Sequence, residues 1–126
     1  MQKLMLAVLI AAMVHIPTAE ASYIGSLNSD FPYTLEVTTT SRVAVTILFV
    51  VKGRLDVEEI LVFDSTSPAL TRTIPPRVDR IIFMADASPN GNGVVKISQG
   101  TTTRFEVPVN PHDAIVVDPC KGDPCS

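Results

Sequence analysis

The stretch YTLEVTTTSRVAVTILFVVK, from Tyr33 to Lys52, carries the fold in its alternation. Tyr33, Leu35, Val37 and Thr39 fall on one side of an extended chain, with Thr34, Glu36, Thr38 and Thr40 on the other. Side chains in a strand alternate between two faces, so this is a strand with one face buried and one face wet. The same period resumes after Ser41. Val43, Val45, Ile47, Phe49 and Val51 form one face, while Leu48 and Val50 make the other partly apolar too. A strand apolar on both sides is expected to be central and covered twice, or to hide part of its outer face under a loop.

Working outward, the alternation recurs at Glu59–Asp64, more weakly at Leu70–Ile74, then at Val78–Ala87, Gly93–Ser98, Thr103–Val109 and Ala114–Asp118. Val, Ile and Thr supply 33 of the 105 residues from Ser22 onward, against five alanines, a β-branched composition that suits a pleated surface. No helical stripe at i, i+3, i+4, i+7 emerges. Asn90-Gly91 is a hairpin signal, because both residues tolerate positive φ; it predicts that Val78–Ala87 pairs with Gly93–Ser98. Pro108 cannot donate to a ladder, so its strand is expected at an edge or ending there. Seven to eight short strands in about 100 residues predict an all-β, antiparallel two-sheet β-sandwich. An immunoglobulin-like Greek key is the leading topology, with a small closed barrel as the alternative.

Before Ser22 the chain reads as an export signal. Lys3 precedes an apolar run from Leu4 to Val14, and Ala19-Glu20-Ala21 gives an A-x-A cleavage pattern. Eleven residues at about 1.5 Å each fall well short of a bilayer's ~30 Å, so the run is read as a cleavable leader rather than an anchor. The expected organisation is a signal peptide over 1–21, a β-sandwich domain over 22–118 and a tail over 119–126. The protein is then secreted or periplasmic, with no transmembrane segment in the mature chain. The 126 residues carry 18% charged side chains and a net charge of −3, without the basic stripe that phosphate neutralisation requires; no nucleic-acid partner is expected.

Both cysteines lie in the tail, Cys120 and Cys125, within a repeated Asp-Pro-Cys. In an oxidising compartment they are expected to pair as a local clip, since so short a loop removes only about 2 kcal/mol of unfolded-chain entropy. Asp86, Ser88, Asn90 and Asn92 place oxygens at alternate positions with Gly91 between the last two, the front half of a calcium loop. The back half fails, because Ile97 stands where a bidentate glutamate should close the shell. The main reading is a turn, with a weak calcium site as the alternative and no other cofactor. His112 beside Asp113 has no nucleophile elbow to serve. Asp56, Glu58 and Glu59 are read as a solvated turn, and Arg72, Arg77 and Arg80 as surface ion-pairing groups.

No catalytic residues are assigned. The expected function is therefore an exported, non-enzymatic binding or accessory module whose partner is another protein, in assembly or restraint of an extracellular or envelope structure. Contact is expected at a strand edge, by β-augmentation, or at the Thr-rich sheet face. A structural or adhesive subunit of a surface assembly, and a small secreted inhibitor or enzyme, are the alternatives.

Overall fold

Two sheets face each other across one apolar layer. The structure is a computed structural model and describes residues 21–88, 91–110 and 113–122. Nine strands are found among them: β1 (Ala21–Asn28), β2 (Tyr33–Thr38), β3 (Val43–Val51), β4 (Arg54–Phe63), β5 (Leu70–Arg72), β6 (Arg80–Ala87), β7 (Val94–Gln99), β8 (Thr102–Pro108) and β9 (Asp113–Cys120). The five-stranded sheet runs β1-β9-β6-β3-β4 and the four-stranded sheet β5-β2-β7-β8. All ladders are antiparallel except β1 on β9, which is parallel.

The sandwich is as the alternation predicts. Tyr33, Leu35 and Val37 on β2 and Val43, Val45, Ile47 and Phe49 on β3 all point into the shared core. There they meet Phe63, Ile81, Phe83, Val95, Ile97 and Phe105. Tyr33 and Phe83 stack edge to face across the sheets, with ring centroids 5.5 Å apart and planes at 81°. Burial pushes the Tyr33 phenol up to about 12, reinforced by the Glu59 carboxylate and opposed by the Arg72 guanidinium. The immunoglobulin-like Greek key is not established by this strand order. In that arrangement the strand between C and G follows D and E along the chain. Here the strand in that place, β6, precedes β7 and β8.

Other expectations need correction. β6 and β7 do not form a hairpin: β6 pairs with β3 and β9, and β7 pairs with β2 and β8. The connection between them crosses from one sheet to the other, so that Ala85 and Ala87 of one sheet pack against the core that Val95 and Ile97 enter from the other. Asn92 is held by the β2–β3 turn, where its backbone carbonyl accepts from the Thr39 and Ser41 hydroxyls. The carboxylates of 56–59 are in strand, not turn. The β3–β4 hairpin closes at Lys52 (φ 51°) and Gly53 (φ 78°), a two-residue loop with positive φ at both positions, and β4 runs on through Asp56 and Glu59. Pro108 does end an edge strand, as expected.

Strand also extends further toward both ends of the described residues than the alternation suggests. β1 was not foreseen, and β9 continues through Pro119 to Cys120. Asn28 and Gln99 tie the sheets together beneath the β1–β2 turn. The Gln99 amide accepts from Asn28 N–H at 2.9 Å and donates to the Asn28 and Phe31 carbonyls at 2.8 and 3.1 Å. No helix among the described residues is long and apolar enough to cross a membrane.

Candidate interaction surface

Each sheet buries one face in the core, and the two outer faces differ in kind. On the four-stranded sheet the register brings Thr71, Thr34, Ser98 and Thr103 into one outward row and Glu36, Lys96 and Glu106 into the next. The Thr34 and Thr71 hydroxyls meet at 3.1 Å. Such a face is what an antiparallel sheet presents to water.

The five-stranded sheet presents something else. Residues paired across a ladder share a face, so its registers align outward rows from edge to edge. One row is Ile24, Val116, Ile82, Leu48 and Val57, apolar across all five strands. The adjacent row is Ser22, Ala114, Met84, Thr46 and Ile60. Val50 with Leu55, and Ala44 with Val62, extend the apolar area along β3 and β4. Charge enters only at the two ends: Asp86 at one, and Arg80 with Asp118 at the other, where the guanidinium Nε donates to the carboxylate at 3.0 Å.

The middle of this face is filled by its own side chains. Ile82 is 1% exposed, buried with Leu48 and Ala114 and flanked by Val50, Leu55 and Met84. The edges stand proud: Ile24 is 76% exposed on β1, and Val57, Ile60 and Val62 are 57%, 63% and 59% exposed on β4. The apolar outer side of β3 read from the sequence therefore belongs to an open face; neither described sheet lies over it. Sequence reasoning missed this surface because β1 and the first half of β4 were not recognised as strands. The signal that could have found it was the apolar alternation Leu55, Val57 interrupted by carboxylates.

The expected site residues do not converge on this face. Asp86 sits at its end, opposite Ala44; the Ser88 N–H donates to the Arg42 carbonyl, and Asn90 lies outside the described residues. The Asn92 side-chain oxygen accepts from the Thr40 N–H and hydroxyl, at 3.4 and 3.1 Å. Among the described residues no group of three or more His, Cys, Asp or Glu side chains could hold a metal ion. Cys120 ends β9, where its carbonyl accepts from Ser29 N–H at 2.6 Å; Cys125, His112 and residues 1–20 lie outside the described residues. Glu59 turns inward from β4 and takes a two-pronged bond from Arg72 of β5, at 3.1 and 3.2 Å, closing the sandwich along that edge. The Glu59 carboxylate holds the Arg72 guanidinium above its ordinary value. Arg72 and Arg80 thus act in ion pairs, whereas no ion pair of Arg77, the third arginine in the sequence reading, is found among the described residues.

The chain matches no protein-family model, no curated protein and no solved structure.

Proposed function

We propose that this chain is an exported, non-enzymatic β-sandwich module that acts through protein–protein contacts, in assembly or restraint of an extracellular or envelope structure. The supporting observation is the apolar outer face of the five-stranded sheet, with Ile24, Val57, Ile60 and Val62 turned to solvent. Removing such area from water yields roughly 25 cal/mol per Å², and contiguous exposed apolar patches on soluble domains mark interaction sites. This reading moves the contact away from the Thr-rich sheet, two of whose outward rows are hydroxyls and charges.

Export is the second half of the proposal. Cleavage after Ala21 would leave all but the first residue of β1, so removing the leader takes only Ala21 from the sandwich. In an oxidising compartment Cys120 and Cys125 would close the tail clip. Intact mass of the exported protein tests this directly: a chain beginning at Ser22 and two hydrogens lighter than its reduced form is expected. A retained leader rejects the export reading. Capture of partners from the envelope or medium should fail for Ile60→Lys and persist for Thr103→Lys on the opposite sheet; equal capture by both rejects the surface.

A further inference from the structure

We infer that two copies of this chain pack the outer faces of their five-stranded sheets against one another. The inference rests on the contact reading above and names the partner as the chain itself.

Area comes first. Five strands about 4.8 Å apart and four outward rows about 6.8 Å apart span about 24 Å by 27 Å. One of these rows reaches only β6, β3 and β4, so two such faces remove about 1,200 Å² from water, at the lower end of the range of about 1,200–2,000 Å² for stable protein pairs. Shape follows. The surface is a sheet face whose central side chains already fill the space between their neighbours, Ile82 most completely. A sheet packs on a sheet by interdigitating alternate rows about 10 Å apart, as the two sheets of this sandwich already do inside. The two central outward rows, Ile, Val, Leu, Met and Ala apart from Ser22 and Thr46, resemble the inward ones in chemistry.

Charge then favours self-pairing. The chain is net −3, yet its two central outward rows hold no charged residue, so a second copy brings no like charge into the middle of the contact. A two-fold axis lying across the strands sets the Asp86 end of one copy near the Arg80–Asp118 end of the other. An axis along the strands would set Asp86 against Asp86. The first arrangement places β4 over β4 with its direction reversed, and so Val57 of each copy meets Ile60 of the other, an isologous contact.

The test is light scattering after size-exclusion chromatography of the exported chain, from micromolar to sub-millimolar concentration. A dimer is expected. Ile60→Lys and Ile24→Lys, on opposite edges where the side chains are already in water, should each weaken it at least about 100-fold, because every substitution enters the contact twice. Thr103→Lys on the polar sheet should leave it unchanged, and unaltered melting curves would show that the variants fold. A chain that stays monomeric throughout overturns the inference, as does a dimer indifferent to both apolar-face lysines. A monomer that still captures another protein through Ile60 overturns only self-pairing; loss of both overturns the contact reading as well.

Discussion

Gly25 shows how far one residue decides local packing. It lies on the inward side of β1, and a Cβ there would stand 2.8 Å from the end of the Phe105 ring. Alanine would recover some of the backbone entropy that glycine loses in a strand, about 0.5–1 kcal/mol. Against this, Phe105 sits in the core and would have to tilt away, at about 1–3 kcal/mol. Gly25→Ala is therefore expected to destabilise, measured as a lower urea midpoint at unchanged slope. Tyr33 gives a pH dependence. Its folded value is raised above the ordinary phenol, so the folded state holds its proton more tightly than the unfolded state. Its contribution is complete below about pH 10 and is lost as pH rises toward about 12. Tyr33→Phe should flatten the fall in melting temperature across that window while changing little at neutral pH. At Asn92 the side-chain oxygen is already engaged by Thr40. Millimolar calcium or chelator is expected to leave the thermal melt unmoved, and a rise with calcium would revive the loop as a cation site.

At the scale of elements, legibility followed the contrast between faces. β2 and β8 were readable because apolar residues alternate with Thr, Glu or Arg, and β3 because Val43, Val45, Ile47, Phe49 and Val51 keep one face apolar over its whole length. β1 was not, since Gly25 leaves it only Tyr23 and Leu27 as large inward side chains and its outward row is mostly serine. β4 was cut short because Asp56, Glu58 and Glu59 look like a turn. The extra residue between Val57 and Glu59 is a bulge opposite Ile47 and Leu48, and it breaks the alternation that the eye follows. The Asn-Gly signal misled for another reason: turn chemistry reports a reversal and says nothing of which sheet the next strand joins. The interaction surface was legible only at Leu48 and Val50. The rest is assembled by register between distant strands, which no local pattern encodes. A reversal that does make a hairpin is Lys52-Gly53, where a lysine occupies left-handed backbone. Lys52→Asn keeps the bond from its N–H to the Asp79 carboxylate and supplies a residue suited to that conformation. It should stabilise by about 0.5–1 kcal/mol in chemical denaturation.

For the whole molecule, stability depends on joining the first and last of the described strands. β1 finds its ladder only on β9, and beyond β9 the Gly122 N–H donates to the Asp30 carboxylate in the turn after β1, at 3.1 Å. Removing residues 113–126 would unpair β1 and expose the β6 edge together with the core around Ile81 and Phe83. Such a truncation is expected to lose its cooperative unfolding transition by circular dichroism, whereas removal of 121–126 should retain it.

The parallel pairing of first strand with last also sets a schedule. A chain made from its N-terminus carries β1 without its ladder partner until the residues of β9 have been made. The five-stranded sheet is therefore completed only after β2 to β8 have all emerged, and its outermost strand is the earliest made of those described.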